Sequence, residues 1–79
     1  MDINEKVKLI IENIIDDKIH QDITSLRLIE DLQLSSLEIL LLVIDIEKEF
    51  KINIEQEEIY RISSIGELIK LIKKLSHSY

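Results

Sequence analysis

The chain has 79 residues, a net charge of −6, 46% apolar residues but only 4% aromatics, and no Ala, Cys, Trp or Pro. Disulfides and cysteine metal sites are excluded, and with Gly66 as the single glycine the turn chemistry of β-hairpins is nearly absent. No apolar run approaches the roughly 20 residues of a membrane span and no signal peptide precedes Asp2, so the composition predicts one small all-helical domain over residues 1–79, soluble and cytoplasmic.

A first helix is predicted over Ile3–Ile15. Asp2 followed by Glu5 fits a capping box, and Val7, Ile10, Ile11 and Ile14 fall on one helical face. Asp16 and Asp17 suit a helix C-terminus badly, because the dipole favours cations there, so the helix should stop beside them. Residues 16–34 lack helical period and form a long link for a helical bundle, where 2–8 residues are usual. Ile19, Ile23, Leu26, Leu28, Ile29, Leu32 and Leu34 would be stranded in water if this link were loose. It is therefore expected to be an ordered crossover pinned over the core.

Ser35 and Glu38 form a second capping box, opening a helix from Ser36 to Phe50. A short helix near Gln56–Arg61 follows, and Ser64 with Glu67 caps a last helix ending near Leu75. The core face of this last helix is Ile65, Leu68, Ile69, Ile72 and Leu75, with Lys70, Lys73 and Lys74 opposite it or near its end. The fold class expected is all-α, a small four-helix bundle of three main helices plus a short one, with a long crossover loop between the first two.

The charge is unevenly placed. Residues 28–60 hold Glu30, Asp31, Glu38, Asp45, Glu47, Glu49, Glu55, Glu57 and Glu58 against Lys48 and Lys51, whereas Arg61, Lys70, Lys73 and Lys74 dominate the remainder. No basic face for a phosphate backbone exists, so nucleic-acid binding is not expected. The acidic middle is either a solvated surface that keeps the chain dissolved or an attraction for basic proteins.

The helix from Ser36 to Phe50 carries two apolar stripes. Ile39, Leu42, Val43, Ile46 and Phe50 form one, and Leu37, Leu40, Leu41 and Ile44 form the other. A surface helix needs only one. Either the crossover covers the second stripe or it is a docking face flanked by Glu38, Asp45, Glu47 and Glu49. A domain this small buries only about 60% of its unfolded surface, which favours docking.

Catalytic chemistry is sparse. There is no thiol, and His20 and His77 read as surface histidines, one in the crossover and one near the C-terminus. No catalytic residue or metal site is expected. Ser36, at a helix N-terminus where free N–H groups and the dipole favour a phosphate, reads either as a helix-start residue or as a modified one.

Asp31-Leu32-Gln33-Leu34-Ser35-Ser36-Leu37-Glu38 is similar to the D-L-G-x-D-S-L-D/E motif of the acyl carrier protein family. Glu47-Lys48-Glu49-Phe50 with Ile52 and Ile54 resembles its E-E-E-F segment and the apolar run after it, and Ile62-Ser63-Ser64-Ile65-Gly66-Glu67-Leu68 resembles its I-T-T-V-G-D-A segment. The resemblance covers nearly the whole chain. It implies that Ser36 accepts a covalent 4′-phosphopantetheine arm from coenzyme A, attached by a separate Mg²⁺-dependent phosphopantetheinyl transferase (a holo-carrier synthase). The arm's thiol would carry acyl intermediates as thioesters between enzymes of fatty acid, polyketide or related biosynthesis. The chain would then be a monomeric carrier, not an enzyme, with no membrane insertion. Leu37, Glu38, Leu40, Leu41, Ile44, Glu47 and Glu49 would meet acyl-transferring and acyl-modifying enzymes through their basic docking patches.

The chain also departs from the family pattern. Ser35 stands where Asp is usual, removing a carboxylate expected to engage the transferase and its metal. Gln33 replaces the usual Gly, Leu41 replaces an acid common in fatty-acid carriers, and Lys48 interrupts the acidic run, which leaves a specialised pathway open. Ile59 and Leu68 take positions where small residues commonly surround the acyl cavity, so poor sheltering of long chains is expected. Two alternatives stay open: an aminoacyl, peptidyl or D-alanyl carrier, and an unmodified helical interaction module that has lost the arm.

Overall fold

The computed structural model describes residues 2–76, and His77 lies outside them. Four helices follow in order: α1 (Ile3–Ile15), α2 (Ser36–Phe50), α3 (Gln56–Arg61) and α4 (Ile65–Leu75), with one 3₁₀ turn at Ile23–Ser25 in the crossover. The expected helices are all present at the expected places.

Local chemistry explains each boundary. The Glu5 N–H donates to Asp2 Oδ1 at 2.8 Å and starts α1. The helix stops at Asp16, which turns left-handed at φ 55° and donates its N–H to the Glu12 carbonyl. In α2 the capping box is complete: Glu38 N–H donates to Ser35 Oγ at 3.2 Å and Ser35 N–H donates to Glu38 Oε1 at 2.8 Å. α4 repeats the device with Ser64 and Glu67. Such caps satisfy N–H groups that the first turn leaves without helical partners.

α1 packs on α2 and on α4. Val7 and Ile11 from α1, Leu42 and Ile46 from α2, and Ile65, Leu68 and Ile72 from α4 are almost wholly excluded from water. Burial of this kind is the main favourable term of the fold. Lys6 adds a tie from α1 to α2: its Nζ lies 3.4 Å from Glu49 and 5.7 Å from the centre of the Phe50 ring. Ser76 is buried past the end of α4, where its hydroxyl donates to the Ile72 carbonyl.

The crossover is held in place from end to end. Ile19, Ile23, Leu26, Leu28 and Leu34 are buried. Leu28 N–H donates to the Ser63 carbonyl at 3.0 Å, and Ile65 N–H donates to the Leu26 carbonyl at 2.9 Å, joining the crossover to the start of α4. The 3₁₀ turn packs on α4 so closely that a Cβ on Gly66 would sit 2.8 Å from the Thr24 carbonyl oxygen. This is the physical reason for the chain's single glycine.

Ile29 departs from the expectation, being 66% exposed. The turn after Arg27 closes with a bond from Leu34 N–H to the Leu28 carbonyl, and both of those leucines are buried. Ile29, next to Leu28, is left on the outside. His20 is exposed on the same crossover. No helix among the described residues is long and apolar enough to cross a membrane.

Candidate functional site

The capping box decides which serine is available. Ser35 Oγ and the Glu38 carboxylate are both used to close the first turn of α2. Ser36, the first helical residue, is exposed and stands outside that box. The first-turn N–H groups at Ser36 and Leu37 find no acceptor among the described residues. Together with the helix dipole they make the surroundings of Ser36 Oγ suited to an anionic phosphodiester.

Ser36 also lines the mouth of an open pocket of about 860 Å³ between α2, α3 and the crossover. One wall is aliphatic and comes from α2: Ile39, Leu40, Val43 and Ile44. Ile54, Ile59 and Ile62 face it, and Leu28 and Ile29 complete the enclosure. Polar groups sit among the lining. Arg27 pairs with Glu30 at 2.9 Å, Gln56 Nε2 donates to Tyr60 Oη at 2.9 Å, and Glu47 Oε2 accepts the Ile54 N–H at 2.8 Å. Tyr60, 77% exposed, stands at the edge.

The two residues expected to limit room for cargo sit in different places. Ile59 lines the pocket and does not fill it, while Leu68 is buried in the core and takes no part in the lining. A separate opening of about 540 Å³ beside His20, lined also by Asp17, Lys18, Gln21 and Asp31, shares no residue with the Ser36 pocket.

The second stripe of α2 lies open. Leu37 is 65% and Leu40 53% exposed, with Leu41 and Ile44 exposed beside them. The crossover does not cover it, which removes that alternative. The acids expected to flank it are less free than their sequence suggested. Glu38 belongs to the capping box, Glu47 holds Ile54, and Glu49 pairs with Lys6. Three of the four flanking acids therefore have a contact within the chain.

Five polar residues of the pocket were not assigned to the site by the sequence reading: Arg27, Glu30, Gln56, Tyr60 and Ser63. A signal for the first four existed. Gln56 and Tyr60 stand four apart on a helix and Arg27 and Glu30 three apart, the spacings at which polar side chains meet.

Comparison with known proteins agrees with this geometry. Residues 7–72 match the family described as "Phosphopantetheine attachment site". The chain is 37% identical over 73 residues to an acyl carrier protein of Clostridium acetobutylicum, covering 87% of this chain and 90% of that protein. It is 33% identical over 73 residues to an acyl carrier protein of Thermotoga maritima, covering 92% of this chain and 90% of that one. The group this family implies is a covalently attached 4′-phosphopantetheine, and its members are carriers, not enzymes. A helix-start serine that is exposed, beside free amides and an apolar pocket, fits that group, and on these matches the chain belongs to the acyl carrier protein family.

Proposed function

We propose that Ser36 Oγ takes the arm from coenzyme A as a phosphodiester, and that this cytoplasmic, monomeric chain carries acyl groups between enzymes of fatty acid, polyketide or related biosynthesis. The observation that carries the reading is the position of Ser36: an exposed hydroxyl at the first residue of α2, on the lining of the pocket. When bound, the arm supplies the thiol that a chain without cysteine lacks. The chain's own residues supply the rest. Free amides at Ser36 and Leu37 offset the phosphodiester's charge. Leu37, Leu40, Leu41 and Ile44 offer an exposed apolar face to the transferase and to acyl-handling enzymes. Glu38, Glu47 and Glu49 on the same helix add an acidic character that favours partners with basic patches.

The test is an intact mass after incubation with coenzyme A, Mg²⁺ and a broad-specificity phosphopantetheinyl transferase. One arm should be added. Ser36→Ala should abolish the gain, whereas Ser35→Ala should keep it while losing about 1 kcal/mol of stability with the cap. No gain with several transferases would sink the proposal and leave the unmodified interaction module standing.

A further inference from the structure

The pocket beside Ser36 has aliphatic walls, but hydrogen-bonding groups stand among them and most are already engaged. Arg27 Nη1 donates to both oxygens of Glu30, at 3.0 and 2.9 Å. The Ser63 hydroxyl donates to Glu67 Oε1 at 2.7 Å, and Glu47 Oε2 accepts from Ile54. The Gln56–Tyr60 pair differs. Gln56 Nε2 donates to Tyr60 Oη, which uses a lone pair of the phenol and leaves its proton able to donate elsewhere. Gln56 Oε1 accepts no hydrogen bond among the described residues. An unspent donor and an unspent acceptor therefore stand side by side at the exposed edge of a mainly aliphatic space.

Charge narrows what can enter. Arg27 and Glu30 offset each other, and Glu47 leaves the lining with a negative balance. An anionic cargo end is disfavoured there, because a nearby like charge is repelled and poorly solvated. The aliphatic walls require the bulk of any occupant to be a neutral chain.

We propose that the Gln56–Tyr60 pair selects hydroxyl-bearing acyl chains. The cargo's hydroxyl accepts from Tyr60 Oη–H and donates to Gln56 Oε1, while the alkyl remainder packs against Ile39, Val43 and Ile59. A hydroxyl both gives and takes a hydrogen bond, so it uses both unspent groups. An oxo group can only accept, from Tyr60 or from the second Gln56 N–H, and a saturated chain uses neither. The order of retention is hydroxyl, then oxo, then saturated. This selection rests on attachment of the arm at Ser36.

The experiment loads the arm-bearing protein with octanoyl, with oxo-octanoyl, and with hydroxyoctanoyl chains substituted at successive carbons. The rate at which hydroxylamine cleaves the thioester is then measured. At least one hydroxyl isomer should be protected about twofold to threefold over octanoyl, the low end of what a single net hydrogen bond supports, because both residues are exposed. The Gln56 side-chain amide signals should shift with that isomer. Tyr60→Phe and Gln56→Leu should each bring its rate to the octanoyl rate measured on the same variant. Equal rates across the series on a correctly modified protein would overturn the selection alone and leave Ser36 attachment intact. Failure to add any arm at Ser36 would overturn both.

Discussion

Glu47 holds Ile54 from seven residues upstream: its Oε2 accepts the Ile54 N–H at 2.8 Å, while its own carbonyl takes the N–H groups of Lys51 and Ile52. α1 ends the same way. The Glu12 carbonyl receives Asp16 and Asp17, and its carboxylate receives the Ile19 N–H at 2.7 Å. One glutamate near each helix C-terminus thus closes the helix and anchors the first buried residue of the segment that follows. In α2 that anchored residue also lines the Ser36 pocket.

Glu47 therefore serves the fold as well as the surface, and two variants separate the roles. Glu47→Ala should cost about 1–2 kcal/mol and speed hydrogen exchange at the Ile54 amide. Glu47→Gln keeps an acceptor and should restore most of that protection. Both variants remove the charge, so both should slow transfer to basic partners. Unchanged exchange at Ile54 in Glu47→Ala would show that the contact holds nothing.

Gly66→Ala should destabilise the chain, against helix propensity. Alanine within a helix gains about 1 kcal/mol over glycine. Here the new Cβ would lie 2.8 Å from the backbone oxygen of Thr24, and neither partner is a flexible side-chain end. A net loss of about 1–2 kcal/mol is expected as a lower urea midpoint. A rise in the midpoint would mean that the 3₁₀ turn moves away at no cost.

Gln33→Gly should stabilise. Gln33 adopts φ 55°, a left-handed conformation that costs a residue with a Cβ about 1–2 kcal/mol. Glycine removes that cost but adds freedom to the unfolded chain, so a net gain of up to about 1 kcal/mol is expected. Thermal unfolding measures it, with Gln33→Val falling in the opposite direction. No rise with glycine would show that the turn from Arg27 to Leu34 is unstrained.

The cap of α4 sets a pH dependence. The Ser63 hydroxyl, then the Ser63 and Ser64 amides, hydrogen-bond Glu67 and hold its carboxyl below the ordinary glutamate range. Folding lowers this value, so the folded chain binds fewer protons, and the stability is fully present above the unfolded value. It is lost as pH falls through the lowered folded value. The Ser63 and Ser64 amide signals should titrate below the ordinary glutamate range, and Glu67→Gln should remove that transition. A midpoint at or above the ordinary range would contradict the assignment.

The helices were legible because their causes are local. The serine–glutamate caps and the three- and four-residue spacings act within one or two turns, and they marked the starts of α2 and α4 without reference to any distant residue. The surplus stripe Leu37, Leu40, Leu41 and Ile44 was legible for the same reason, since counting apolar positions on one helix needs no neighbour. Ser36 as the residue to watch followed from its place at a helix start and from the resemblance of its motif.

The pocket was not legible in this way. Ser36, Arg27 and Tyr60 come from α2, the crossover and α3, and nothing in their own segments says that they share one lining. Nor could spacing reveal that Ile29 stays outside, that Gly66 meets Thr24, or that Glu47 spends one oxygen on Ile54. The amino-acid sequence by itself determined the helices, the surplus apolar stripe and the serine at its head, because those depend on contacts within a turn. Only the tertiary structure decided what surrounds that serine, because closing the crossover over the core is what brings separate segments to the same space.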